Sequence, residues 1–224
     1  MNMPVDMASV FSSGITLPSL GVKIPEVTQT IKILQETWDA QTFGALLQGK
    51  VSVPDDVLNK GLAAAIEEGC PVKQLTVTSQ ENHQIKIVAL TAQNGRVVLV
   101  CTVEQFEHNK DHSFIKMKVT DKKLPDRPLV SWIFSRVSLA MVSKLAGNIV
   151  PGDGLTVAIH GNEVTVDFHQ ALYASRFAGI DLFGYKPLDA LTVSGLTPQK
   201  GYVEMNTDID LPDNIKAMIQ NVLQ

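Results

Sequence analysis

Three stretches of the chain alternate apolar and polar residues, turn back, and alternate again. They are LTVTSQENHQIKIVAL (Leu75 to Leu90), LTVAIHGNEVTVDF (Leu155 to Phe168) and LTVSGLTPQKGYVEM (Leu191 to Met205). A period of two over four or more residues is the signature of a half-buried strand, and the polar or glycine-containing centres supply the turns. Each stretch is therefore predicted to be an antiparallel hairpin opening on a Leu-Thr-Val triplet. The second turns at His160-Gly161-Asn162, and the third at Pro198-Gln199-Lys200-Gly201. Asn94-Gly95 predicts a further tight turn, of type I′, between Thr91 and Arg96. Val97 to Val103 is apolar on both faces, and Phe114 to Val119 alternates with Lys116 and Lys118 outward. The first hairpin thus extends into a meander of about four strands.

Helical spacing appears between these segments. Val27, Ile31, Leu34 and Trp38 form one stripe on a helix opened by Pro25, which ends by Gly49. Ser52 and Asp55 read as a capping pair for a second helix, with Leu58, Leu62 and Ile66 on its apolar face and Gly69 and Pro71 at its end. Leu129 to Ala146 is apolar almost all round, with Ser131, Ser135 and Ser138 as a weakly polar strip. Such a helix is normally buried, so Trp132 and Phe134 are expected in the core. A short helix is predicted from His169 to Phe177. A final one follows Pro212, with Ile215, Met218, Ile219 and Val222 on one face. Residues 1–25, broken by Pro4, Gly14, Pro18 and Gly21, read as an extended arm that docks through its apolar residues.

The predicted class is α+β: curved antiparallel sheets wrapped on two or three helices. Residues 26–224 form one domain, with helix-plus-hairpin pseudo-repeats near 50–124 and 126–210. A length of 224 residues suffices for a sizeable core. Apolar residues make up 45% and aromatics only 6%, so that core is aliphatic. The net charge of −4, without any run of Lys or Arg, speaks against nucleic acid as a partner. No segment reads as a transmembrane span: Leu129 to Ala146 carries Arg136, four serines and Lys144. The N-terminus has no charged and then apolar signal pattern. The expectation is a cytoplasmic protein, or an extracytoplasmic one if a leader has been removed. Cys70 and Cys101 read as two small apolar residues, with a disulfide not decidable from spacing.

The sequence carries no phosphate-binding loop, nucleophile elbow, zinc-binding helix motif or paired-cysteine motif. His108 and His112 have ligand spacing, but EHNKDH lies between two strands, so a solvated turn is expected and no metal. His160 and His169 bracket the second hairpin, with Asp167 beside His169 on the opposite face. Ser194 precedes a glycine without a base in sight. Asp208 and Asp210 read as a strand end or helix cap. No catalytic residue and no cofactor are expected, and the chain is not read as an enzyme.

The order of helix, meander, long apolar helix, hairpin, short helix and hairpin resembles the tubular lipid-binding (TULIP-like) proteins. VSVPDDVLNKGLAAAI and GLTVAIHGNEVTVDF are similar to small bacterial members of that group, through Val53, Leu58, Asn59 and Leu62, and through Thr156, Val157, Val164, Val166 and Asp167. The likeness spans residues 45 to 210. It implies a curved sheet around a long helix and an apolar groove that takes lipid. The N-terminus departs from it, since bacterial members usually carry a signal or lipid anchor. The expected function is non-enzymatic binding of a lipid or other hydrophobic ligand, such as an acyl chain. The expected groove walls are Trp132, Ile133, Val137 and Met141 from the apolar helix, with Leu58 and Leu62 from the earlier one. The alternative is a structural or protein-interaction module with a filled core.

Overall fold

The computed structural model describes residues 39–64, 66, 72–92, 95–141, 154–181 and 184–223. The predicted N-terminal arm, the Val27–Trp38 stripe, Cys70 and the Lys144–Asn148 helix end lie outside these residues. In chain order the elements are α1 (Ala40–Leu47), β1 (Lys50–Pro54), α2 (Asp55–Ala64), β2 (Val72–Gln80), β3 (Gln84–Thr91), β4 (Gly95–His108) and β5 (Ser113–Lys123). There follow α3 (Pro128–Phe134), β6 (Thr156–His160), β7 (Glu163–Asp167), α4 (His169–Tyr173), a 3-10 turn (Arg176–Gly179), α5 (Pro187–Ala190), β8 (Leu191–Gln199), β9 (Tyr202–Ile209) and α6 (Asp213–Leu223).

The protein is α+β. Among the described residues nine strands pair antiparallel in one curved, unclosed sheet of order β1-β9-β8-β4-β5-β7-β6, with β3 joined to β4 and β2 to β3. Strand β4 is the branch point. Its first half pairs with β3, from Gly95 opposite Thr91 to Thr102 opposite Gln84, and β8 joins where His108 meets Val193. Two register shifts in the β4–β5 pairing and one between β8 and β9 supply local twist.

The three predicted hairpins are all present: β2–β3, β6–β7 and β8–β9. The second closes in two residues, with Gly161 at φ 63°. The Asn94-Gly95 connection differs from a two-residue turn. Thr91 pairs with Gly95, so three residues intervene, and Gly95 takes φ 67°. Among the described residues β2 pairs with β3 alone, and its other edge is covered by α2, with the Gly201 N–H donating to the Ser79 carbonyl at its end (3.2 Å). The Asn59 amide donates to the Val77 carbonyl (2.8 Å) and accepts from the Val77 N–H (2.7 Å), as a neighbouring strand would. Asp55 accepts from the Ser79 N–H at 2.8 Å. Side chains thus occupy an edge that would otherwise template further pairing.

Two clusters form the core. In the first, Phe43 and Leu46 of α1 and Ile215 and Ile219 of α6 pack with Val51, Ile180, Ile209 and Leu211. In the second, Ile85, Cys101, Val103, Met117 and Val119 of the meander receive Leu139. The C-terminal helix therefore buries the face that its spacing predicts.

Two helix readings are corrected. The expected capping pair fails because Ser52 lies in β1 opposite Glu204, where Val51 and Val53 take the inward positions and Ser52 the outward one. Helix α2 starts at Asp55 and ends at Ala64, before Ile66. The long helix expected from Leu129 to Ala146 is broken after Phe134. Its serines act on the backbone rather than as a polar strip. The Ser135 hydroxyl donates to the Trp132 carbonyl (2.9 Å), and Ser138 Oγ accepts from the Met141 N–H (3.3 Å). Such local bonds compete with helix continuation. The restart at residues 138–141 is held by the β6–β7 turn: Asn162 Oδ1 accepts from the Leu139 N–H, and the Gly161 carbonyl from the Ala140 N–H, both at 2.9 Å.

Candidate functional site

Helix α3 presents the exposed apolar surface. Pro128 opens it, the Ser131 hydroxyl accepts from the Leu124 N–H (2.8 Å), and Phe134 alone of its described side chains is buried. That anchor turns Val130, Trp132 and Ile133 outward. Val130 is 50% exposed, Trp132 60% and Ile133 56%, and Met141 in the restart is 53% exposed. The expectation of Trp132 in the core is corrected, because the break at Ser135 and the Phe134 anchor fix the opposite rotation of the helix.

Beside it lies an open depression of about 370 Å³, lined by Lys123, Leu124, Pro125, Pro128, Ser131, Trp132 and Ser135. The Arg136 guanidinium sits 4.3 Å from the Trp132 ring centroid, an arrangement that favours a cation over an aromatic face. Residues 121–141 hold Lys122, Lys123, Arg127 and Arg136 against Asp121 and Asp126, a cationic excess in a chain of net charge −4. Lys123 pairs with Asp121 at 2.7 Å, and both side chains are substantially exposed.

Of the predicted groove walls, Trp132 and Ile133 lie on α3, Val137 in the break after it and Met141 in the restart, and Trp132 lines the depression. Leu58 and Leu62 are half-buried on α2, which packs on β2 and β1, whereas α3 packs on β5. Strands β3 and β4 lie between β2 and β5, a separation of roughly 14 Å across the sheet.

A second constellation was not visible in the sequence. The tip of the β4–β5 hairpin sets His108 directly opposite Ser113. Both are buried, Ser113 completely. His108 Nδ1 lies 2.7 Å from Ser113 Oγ, and His169 Nδ1 approaches the same oxygen from α4 at 3.1 Å. His108 Nε2 lies 3.3 Å from the Leu188 carbonyl of α5. The His169 ring packs on Tyr173 with centroids 4.4 Å apart, and the Tyr173 hydroxyl donates to Asp189 at 2.9 Å. Burial, then the bond to Asp189, pushes the Tyr173 phenol up to about 12. Burial also lowers the His108 pKa, the Leu188 carbonyl acting against it and neighbouring His169 and His112 with it.

The remaining candidate chemistry is dispersed. His112 bonds Glu107 (3.1 Å) and Asn109 (3.1 Å) at the hairpin tip. Among the described residues no group of three or more His, Cys, Asp or Glu is arranged to hold a metal. Cys101 is a free, buried thiol, and burial pushes its pKa up to about 11, so it is an inert core residue. Ser194, Asp208 and Asp210 are exposed. Among the described residues no helix is long and apolar enough to cross a membrane.

No protein-family model matches the chain, and no curated protein or solved structure is significantly similar to it.

Proposed function

We propose that the protein binds the apolar tail of an amphiphile on the α3 surface, as a non-enzymatic lipid-binding protein. The observation that carries this reading is the outward face of α3 and its restart: Val130, Trp132, Ile133 and Met141 are each at least half exposed within twelve residues. Isolated exposed apolar residues are ordinary, but a contiguous apolar patch with a polar rim marks a binding surface. The resemblance to tubular lipid-binding proteins supports the same reading. Arg127, Arg136 and Lys123 around the face suit an anionic headgroup.

The depression of about 370 Å³ is at the small end of ligand sites, which run from about 300 to 1,000 Å³. It suits part of one chain rather than a whole lipid. Burying ten methylenes contributes about 8 kcal/mol before ordering costs, which sets micromolar binding as the upper limit. A second reading, a protein-interaction module, is favoured by the two side-chain-filled clusters, which leave the exposed face to be covered by a partner.

Titration with a dansyl-labelled undecanoic acid separates the two. The wild-type protein is expected to give a saturable fluorescence gain. Trp132→Ala is expected to weaken it about tenfold or more while leaving the unfolding midpoint nearly unchanged, since the side chain is mostly exposed. A wild-type protein that takes up no probe would replace the lipid reading with the interaction module.

A further inference from the structure

The hydrogens of the chain that runs from buried His108 and Ser113 to half-buried His169 can be placed by counting donors and acceptors. The Leu188 carbonyl only accepts, so His108 Nε2 carries a hydrogen, and in the neutral ring Nδ1 is bare. Ser113 must then donate its hydroxyl hydrogen to His108 Nδ1. The serine oxygen is left to accept, and His169 Nδ1–H supplies the bond. Every contact is satisfied by two neutral imidazoles. A first proton is also accommodated, because His169 can take it on Nε2 without changing any of these bonds. A second proton is not. With Nδ1–H on both rings pointing at one oxygen, the serine hydrogen has no acceptor among these three residues, and two cations flank one buried hydroxyl.

We propose that His108, Ser113 and His169 form an acid-sensitive latch that fastens α4 and α5 to the β4–β5 hairpin and releases them when both imidazoles are protonated. Each link joins separate elements: Ser113 to His169 ties β5 to α4, and His108 to Leu188 ties β4 to α5. The surrounding charges come from every side. Glu107, Asp111 and His112 belong to the hairpin tip, Asp167 to the end of β7, Tyr173 to α4 and Asp189 to α5. Asp167 Oδ1 accepts from the His169 backbone N–H (2.9 Å), and His112 bonds Glu107, so both are engaged with other partners. Asp189 favours a proton on His108, while His169 and His112 oppose it, and burial opposes it most.

A histidine whose pKa is lowered by folding binds fewer protons folded than unfolded. Stability therefore falls as pH drops below about 6.5 and levels off beneath the folded-state pKa.

Hydrogen exchange read by mass spectrometry, corrected for intrinsic rates between about pH 7.5 and about pH 4.5, tests this. Peptides covering α4 and α5 are expected to lose protection about tenfold or more on acidification, while β8 and β9 keep theirs. Ser113→Ala is expected to show the loss already at neutral pH. His169→Asn cannot take a proton, and its amide can offer the serine a donor or, once His108 is protonated, an acceptor, so it is expected to stay protected in acid. The latch is overturned if α4 and α5 keep their protection, if β8 and β9 lose theirs in the same step, or if His169→Asn opens at the wild-type pH. Long-range proton–nitrogen NMR of the imidazoles repeats the test without substitution. The second imidazole to take its proton should do so in the step that releases α4 and α5; both rings protonated with α4 and α5 still protected overturns the proposal.

Discussion

Phe43→Ala is expected to lower the free energy of unfolding by about 3–5 kcal/mol. Phe43 has no exposed surface and belongs to the cluster that α1 and α6 build with Val51, Ile209 and Leu211. Its helix is fixed at the start by Asp39, which accepts from the Thr42 N–H at 2.7 Å. The surroundings therefore have little freedom to relax into the space that loss of the ring creates. Trp132→Ala is the informative comparison. That side chain is the larger, yet it is 60% exposed, and its removal is expected to cost less than about 1 kcal/mol. Denaturant unfolding of the two variants ranks them. A larger loss at Trp132 than at Phe43 would return α3 to the core and remove the surface on which the functional reading stands.

Gly154→Val carries the second large effect. Gly154 has φ 83°, and a Cβ there would lie 2.8 Å from the Ala171 nitrogen and 3.0 Å from its Cα. The Gly154 carbonyl also accepts from the Ala171 N–H at 3.1 Å, seating α4 on the start of the second hairpin. The left-handed backbone costs about 1–2 kcal/mol for a residue with a side chain. The clash is with backbone, which cannot swing aside, and adds roughly 1–3 kcal/mol. Gly161 is the control. It has φ 63°, but a Cβ added there would meet nothing within 4 Å, so Gly161→Ala is expected to show only the conformational cost. Thermal unfolding distinguishes the two, and equal losses would mean that the Gly154–Ala171 contact does not seat α4.

The hairpins could be read from the sequence because their information is local. Leu75, Val77, Ile85 and Ile87 alternate, and Gly161-Asn162 supplies a turn between two alternating runs. The face of α6 was legible for the same reason, since Ile215 and Ile219 are one turn apart. Helix α3 was not. A segment apolar on every side carries no phase, so its pattern cannot say which residues face the protein, and Phe134 rather than Trp132 became the anchor. Its length was also hidden, because Ser135 and Ser138 are polar residues whose hydroxyls reach backbone groups only once the chain has bent. The histidine–serine chain lay further out of reach. His108 and Ser113 become neighbours through hairpin register, a relation that the run of polar residues between them suggests only after the strand ends are known. His169 arrives from 56 residues away, because β7 pairs with β5 and sets Asp167 opposite Phe114. The expected walls Leu58 and Leu62 failed to join Trp132 for a related reason. Strand order, which sequence patterning does not specify, put β3 and β4 between their supports.

If α3 offers a free apolar face that an amphiphile covers, the indole of Trp132 must pass from water to hydrocarbon on binding. The chain has two tryptophans, so Trp38→Phe leaves Trp132 as the single reporter. Its fluorescence, measured while a brominated fatty acid is added, reads that passage. The free protein is expected to show water-exposed emission that acrylamide quenches, followed by saturable quenching as bromine reaches the indole. Emission already shielded from acrylamide, or no response to the brominated chain, would contradict the lipid-binding face.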